Sequence, residues 1–93
     1  MLLLPATLTA AEARDTLRML TRAIPEQADG VVVDASSLVQ FDSSALSVLL
    51  ECQRQAKAWG KPFELREPPS KLAALAKLYG VDALLLRAAV PPQ

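Results

Sequence analysis

The chain contains no histidine and only one cysteine, Cys52, among its 93 residues. A single cysteine cannot close a disulfide within the chain, and a zinc site of the Cys/His type would have too few ligands. The lack of histidine also removes the commonest general base of enzymes. Because one unpaired cysteine is typical of a reducing compartment, these absences favour a cytoplasmic protein that binds no metal and no cofactor.

Charge of either sign is not in surplus, because ten Lys and Arg residues balance ten Asp and Glu residues. Nucleic acids and anionic membrane surfaces attract chains with excess positive charge, so neither is an expected partner. The opening apolar run lacks the basic start of a signal peptide and is broken by Pro5. Long apolar runs are also missing, and we expect no direct membrane insertion, which needs about 20 apolar residues.

Aromatic residues are few, with two phenylalanines, one tryptophan and one tyrosine, although 52% of the chain is hydrophobic. The core is therefore expected to be aliphatic, built from Leu, Val and Ala. A chain of 93 residues allows one small domain. We assign residues 1–93 to that domain, with a proline-rich tail at residues 91–93.

Strand and helix patterns alternate, which predicts an α/β fold in which helices pack on a mostly parallel or mixed sheet. The opening run reads as an edge strand because Pro5 follows it. The β-branched run at residues 31–33 is typical of a strand buried on both faces. The expected order is a strand at residues 1–4, a helix at 10–24, a strand at 31–33, a connection at 34–41, a helix at 42–59, a strand at 61–67 and a helix at 70–79.

Helix boundaries follow from capping residues. Thr9 and Glu12 have the spacing of a capping box, and Pro25 ends the helix that follows. Ser70 is the predicted cap of the third helix, and Gly80 is expected to close it.

The most informative stretch lies between the buried strand and the second helix. Asp42 there precedes two serines, Ser43 and Ser44, at a predicted helix start. Unpaired backbone N–H groups and the helix dipole favour an anion at such a position, the dipole by about 0.3–1 kcal/mol. Two interpretations stay open at this point. The three residues only cap the helix, or a serine also contacts a partner or carries a phosphoryl group.

The second helix has two distinguishable faces. Apolar side chains at helical spacing predict its buried face: Ala45, Leu49, Cys52 and Ala56, flanked by Leu46, Val48 and Trp59. A second face combines hydroxyl, apolar and basic side chains: Ser43, Ser47, Leu50 and Arg54. Leu50, an apolar residue among polar neighbours, favours a surface that a partner covers.

Residues 31–34 and 41–50, Val-Val-Val-Asp and Phe-Asp-Ser-Ser-Ala-Leu-Ser-Val-Leu-Leu, resemble the STAS domain, the fold of anti-sigma factor antagonists. The stretch at residues 72–85 is similar to the last helix of MlaB-type STAS proteins, which are subunits of the Mla phospholipid-transport ABC complex. The resemblance implies a STAS-like mixed sheet with packed helices. STAS domains usually open with a two-strand hairpin, and only its second strand is recognisable, at residues 1–4.

The resemblance to MlaB-type proteins implies a non-enzymatic binding subunit. It would dock on the ATPase subunit of an Mla-type ABC complex, and through it on the permease, in support of outer-membrane lipid asymmetry. Its place would be cytoplasmic, peripheral to the inner membrane. Ser43 matches a threonine position that supports the ATPase in MlaB-type proteins. The residues that the resemblance and the helix face assign to the partner contact are Ser43, Ser44, Ser47, Leu50 and Arg54.

Two other functions, a phosphorylation switch and an enzyme, are alternatives to this prediction, and the sequence also predicts a homodimer. Ser44 matches the serine that is phosphorylated in anti-sigma factor antagonists, so a phosphorylation switch is the second expectation for the same loop. An enzyme is disfavoured because neither serine has a histidine base and because the carboxylates of Asp34 and Asp42 are separated by a loop. The edge strand at residues 1–4 also predicts that two copies can pair as a homodimer.

Overall fold

The computed structural model describes residues 1–86 and has the predicted α/β architecture. The elements, in chain order, are β1 (Leu2–Leu3), β2 (Thr7–Leu8), α1 (Ala10–Ala23), β3 (Val31–Asp34), β4 (Gln40–Phe41), α2 (Ser43–Ala58), β5 (Phe63–Arg66), α3 (Ser70–Leu78) and α4 (Asp82–Leu85). A 3-10 turn at Ile24–Glu26 follows α1. The tail expected at residues 91–93 lies outside the described residues.

Three strands form the main sheet in the order β1-β3-β5, and both of its ladders are parallel. Val33 on the central strand pairs with Leu2 on one side and with Leu65 on the other. Within residues 1–86, the outer side of β1 has no strand beside it, in agreement with the predicted edge position. β2 and β4 form a second, separate parallel ladder.

The core is aliphatic, as the scarcity of aromatic residues predicts. Its buried hydrophobic side chains are leucines, valines, alanines, one isoleucine and Cys52, while Phe41 and Phe63 pack at its margin. Val31 and Val33 face this core, whereas Val32 between them is only half-buried. Alternate side chains of a strand point to opposite faces of the sheet. The prediction that β3 is buried on both faces is therefore wrong for the face that carries Val32.

Both ends of α1 are held by side-chain contacts. Thr9 and Glu12 form the predicted capping box, in which the Thr9 N–H donates to Glu12 Oε1 at 2.9 Å. At the other end, the Lys61 ammonium binds the 3-10 turn that follows α1, where the helix dipole favours a cation. Its Nζ donates to the carbonyl oxygens of Ile24, Pro25 and Gln27 at 3.0, 3.1 and 2.6 Å.

The start of α3 differs from the prediction. Ser70 is the first residue of the helix, and the capping position before it is occupied by Pro69, which makes no side-chain cap. Pro69 has φ −58° and ψ 149°, and the proline ring fixes φ near that value. Ser70 is therefore not the cap. Gly80 follows α3 as predicted, with φ of +72° in the left-handed region.

The connection expected at residues 34–41 contains a strand that the sequence did not predict. β4 at Gln40–Phe41 pairs with β2, and the Ala6 carbonyl accepts from the N–H groups of Val39 and Gln40 at 2.7 and 2.9 Å. A two-residue strand shows no periodicity that a sequence could reveal. The ladder holds the chain at the point where it enters α2.

Candidate functional site

Asp42 holds the start of α2 and ties it to the start of α1. Its Oδ1 accepts a hydrogen bond from the Ser44 N–H at 2.8 Å, which is the predicted helix cap. Its Oδ2 accepts from the Ala10 N–H at 3.3 Å. One carboxylate therefore serves the N-termini of two helices, where N–H groups have no partner within the helix.

The carboxylates around this segment are stabilised in their charged form. The Ser44 backbone N–H lowers the pKa of Asp42, and the Ala10 N–H contributes to the same shift. At the end of β3, Asp34 Oδ1 accepts from the Ser36 N–H at 2.8 Å, and this contact lowers the pKa of Asp34. Asp34 thus orders the turn after β3, as expected of a residue at a strand end.

The buried face of α2 is the one predicted from helical spacing. Its four central side chains have no exposed surface: Ala45, Leu49, Cys52 and Ala56. Leu46 and Val48 beside them are also buried. Trp59, which was expected at the edge of the core, is 56% exposed. It follows the last residue of α2 as the C-cap, where the chain turns away from the helix, so that expectation is wrong.

The other face of α2 brings the predicted partner-contact residues together. Ser43, Ser47 and Arg54 are exposed, and Leu50 is half-buried between them. Ser44 is half-buried at the border with the core face. We call these five residues the hydroxyl face of α2. From Ser43 to Arg54 the face extends roughly 16 Å, at 1.5 Å of helix rise a residue.

The family described as "Mlab, STAS domain" matches residues 2–87. The chain belongs to the STAS domain family. The match is to the MlaB type of the domain, as the resemblance predicts, and covers nearly the whole chain. Among curated proteins, no sequence matches this STAS domain.

Arg54 of the STAS domain is held by an acid one turn earlier in α2. Its Nε donates to Glu51 Oε1 at 2.9 Å, and a second guanidinium nitrogen bonds to Glu51 Oε2. These hydrogen bonds from Arg54, with a further one from Gln55, lower the pKa of Glu51 to about 2. The Arg54 side chain keeps 68% of its surface exposed. It is accessible to a partner, with part of its charge compensated by Glu51.

Cys52 of the STAS domain lies in the core and takes no part in the hydroxyl face. Its side chain has no exposed surface, and desolvation raises the pKa of its thiol to about 11. A thiol that stays protonated at neutral pH and is out of reach of solvent is a poor nucleophile. The structure supports the interpretation of Cys52 as a small buried hydrophobic residue.

Val39 is a candidate contact residue that sequence analysis did not single out. It is 75% exposed on the segment that leads into α2, whereas its neighbour Leu38 is 4% exposed. Its backbone is fixed, because the Val39 N–H donates to the Ala6 carbonyl at 2.7 Å. The sequence does contain a sign of this exposed residue, because Leu38 and Val39 are adjacent apolar residues in a short connection. Only one of two neighbours in extended chain can point into the core.

The chemistry that the hydroxyl face offers is that of a contact surface. Its serines can donate and accept hydrogen bonds, Leu50 offers apolar area and Arg54 offers a cation. Within residues 1–86, no three Cys, Asp or Glu side chains come together as ligands for a metal ion. None of the helices in that part of the chain is both long and apolar enough to cross a membrane.

Replacing Asp42 by asparagine is expected to lower the stability of the fold at neutral pH much more than at acid pH. Asparagine keeps the size and capping geometry of aspartate but lacks its charge. Because the pKa of Asp42 is lowered below 3.8 in the folded protein, the carboxylate stabilises the fold fully above that ordinary value. The contribution is lost as the pH falls through the lower folded-state pKa. Urea unfolding of both proteins at about pH 7 and about pH 2.5 measures the difference.

Asp29→Asn is the matched control for this prediction. Asp29 is exposed, and its carboxylate makes no side-chain hydrogen bond among the described residues. We expect this variant to follow the wild type at both pH values. A stability difference between Asp42→Asn and wild type that is equally large at both pH values would show that the charge of Asp42 is not what stabilises the two helix starts.

Proposed function

We propose that this STAS domain docks through the hydroxyl face of α2 on the ATPase subunit of an Mla-type phospholipid-transport ABC complex and supports its activity. The observation that carries the proposal is that Ser43 is exposed at the start of α2 in a chain of the MlaB type. Asp42 fixes this helix start through its bonds to the N–H groups of Ser44 and Ala10. In this proposal the protein acts by contact and catalyses no reaction of its own.

The hydroxyl face is ordered before a partner arrives. Asp42 bonds to the backbone of both α1 and α2, and the Ala6 carbonyl holds the segment before α2. A surface that is already ordered loses little conformational entropy on binding. Short polar side chains such as Ser43 can therefore contribute to affinity without a large ordering cost.

The composition of the face suits a protein partner. Interfaces combine an apolar centre with a polar rim, and arginine is enriched in them. Leu50 is half-buried in the free domain and would lose its remaining exposed area beneath a partner, with serines on one side and Arg54 on the other. Val39, exposed on the adjoining segment, offers further apolar area.

The two serines differ in a way that favours contact over phosphorylation. Ser43 is exposed, whereas Ser44 is half-buried and its N–H is bonded to the Asp42 carboxylate. A phosphoryl group on Ser44 would place about 1.5 to 2 negative charges beside that carboxylate, and like charges repel each other. The geometry therefore supports Ser43 as a docking residue better than it supports a switch at Ser44.

The proposal also implies where in the cell the domain acts and which subunits surround it. Docking on the ATPase subunit would hold the domain at the cytoplasmic side of the inner membrane and link it to the permease, in a system that maintains outer-membrane lipid asymmetry. A homodimer through the side of β1 that has no neighbouring strand within residues 1–86 stays a separate prediction. Met1 and Leu3 beside it are 62% and 60% exposed. Sedimentation that finds only monomers at high concentration would contradict that prediction.

The test of the proposed function is co-purification with the ATPase and permease subunits of the Mla-type complex from the same organism. ATPase assays with and without the chain follow. We expect a stable complex with a higher ATPase rate. A chain that binds no ATPase subunit but accepts phosphate at Ser44 from a protein kinase would instead establish the anti-sigma factor antagonist alternative.

A further inference from the structure

A cleft of about 560 Å³ lies between the second half of α2, the start of β5 and α4. Its volume falls in the range of roughly 300–1,000 Å³ that small-molecule sites occupy. The side chains that matter for its chemistry are Arg54, Lys57, Lys61, Phe63, Leu84 and Leu85. The cleft shares Arg54 with the hydroxyl face, whereas Lys57 lies roughly 21 Å along α2 from Ser43, at the other end of the helix.

Positive charge is concentrated in this cleft. Among residues 1–86, three basic side chains and no acidic one line it, although the formal net charge of the whole chain is zero. The ammonium of Lys61 is bonded to three backbone carbonyls, and Arg54 is paired with Glu51. Lys57 is exposed and makes no ion pair within residues 1–86. Lys57 is thus the cation that a ligand can reach most directly.

Three apolar side chains also line the cleft. Leu85 is buried, Phe63 is half-buried and Leu84 is 53% exposed. Gln53 Nε2 donates to the Leu84 carbonyl at 2.6 Å, which fastens α4 to α2. The cleft therefore combines basic side chains with apolar ones.

We infer that this cleft binds a small organic anion with an apolar chain, of the class of medium-chain carboxylates and alkyl phosphates. The anionic head contacts Lys57, with Arg54 beside it, and the chain covers Phe63 and Leu84. The cleft offers three apolar side chains, which suits a single medium-length alkyl chain. This binding site goes beyond the proposed docking function and does not depend on it, although Arg54 belongs to both surfaces.

The test uses decanoate and decyl phosphate as probes, with the fluorescence of Trp59 as the readout. Trp59 is the single tryptophan of the chain, and its ring lies 5.8 Å from Lys61 Nζ. We expect saturable binding of both anions and none of decyltrimethylammonium, which has the same chain and the opposite charge. Equal binding of the cationic probe would overturn the inference.

Two variants locate the site. Lys57→Glu is expected to weaken decanoate binding by about tenfold or more, because a charge-assisted contact becomes a repulsive one. Leu84→Ser is expected to weaken it through loss of apolar contact. Lys77→Glu is the matched control, since Lys77 is exposed in the last turn of α3 as Lys57 is in the last turn of α2. Circular dichroism confirms that each variant is folded.

Two results would refute the proposed site. The first is wild-type affinity in both Lys57→Glu and Leu84→Ser. The second is binding to phosphatidylglycerol vesicles with no binding of free decanoate, which would show attraction to a charged surface in place of a ligand cleft. If Lys57→Gln, which removes the charge without reversing it, also weakens decanoate binding, the cationic contact is supported even where Lys57→Glu is unstable.

Discussion

Replacing Leu49 by alanine is expected to lower the free energy of unfolding by about 2–5 kcal/mol. Leu49 has no exposed surface and lies at the centre of the buried face of α2. The truncation removes apolar contact and leaves a cavity that a well-packed core fills only in part. Small domains have total stabilities of about 5–15 kcal/mol, so the loss is a large share of the whole. Urea unfolding at equilibrium measures it.

Leu50→Ala is the matched control, because it makes the same truncation at the next position of the same helix. Leu50 is half-buried at the margin of the core, so we expect a clearly smaller loss than at Leu49. A change below about 0.5 kcal/mol at Leu49, the range of ordinary surface substitutions, would mean that the buried face of α2 has been assigned to the wrong side.

The parts of the fold that the sequence predicts well are those decided by neighbouring residues. The Thr9–Glu12 capping box, the Asp42 cap and the buried face around Leu49 all depend on residues within one or two helical turns of each other. Spacing in the sequence then translates directly into position on a helix. The strand at Val31–Asp34 is recognisable for a similar reason, since β-branched residues favour extended chain.

The parts that the sequence does not predict depend on residues far apart in the chain. The β2–β4 ladder joins two-residue strands more than thirty positions apart, and neither strand has a pattern of its own. Lys61 caps the end of α1 across a similar distance. Local propensity also misleads at Ser70, because Pro69 takes the capping position that a serine usually prefers.

In the candidate site, too, some features depend on neighbouring residues and others on residues far apart in the chain. The capping bond from Asp42 to the Ser44 N–H is local and predictable, whereas its bond to the Ala10 N–H requires that α1 and α2 begin side by side. The exposure of Val39 likewise depends on the β2–β4 ladder, which settles which residue of the Leu38–Val39 pair faces the core. Helical spacing predicts the hydroxyl face, and tertiary contacts hold it in place.

Replacing Ser43 by glutamate is expected to weaken the complex with the ATPase subunit by about tenfold or more and to abolish the gain in ATPase rate. A buried, unpaired charge at an interface costs several kcal/mol. The isolated domain should stay folded, because Ser43 is exposed at the first position of α2. A negative charge there interacts favourably with the helix dipole. Binding assays and thermal unfolding of the free domain together measure the two effects.

Ser70→Glu is the matched control for Ser43→Glu. Ser70 is also an exposed serine at the first position of a helix, and the two variants make the same change of charge. We expect Ser70→Glu to bind the ATPase subunit as the wild type does. Equal loss of binding in both variants would show that the added negative charge weakens binding wherever it is placed, and would contradict a specific contact at Ser43.

Leu50→Ala completes the test, because it removes apolar area from the same face without adding charge. We expect Leu50→Ala to bind the ATPase subunit more weakly and to lose only a little stability. Leu49→Ala should lose much stability, but its folded fraction should bind the ATPase subunit normally. Normal binding by both Ser43→Glu and Leu50→Ala would place the contact on another surface. Since Leu49 and Leu50 are adjacent in sequence and differ in burial, the pair separates a role in folding from a role in docking on a single helix.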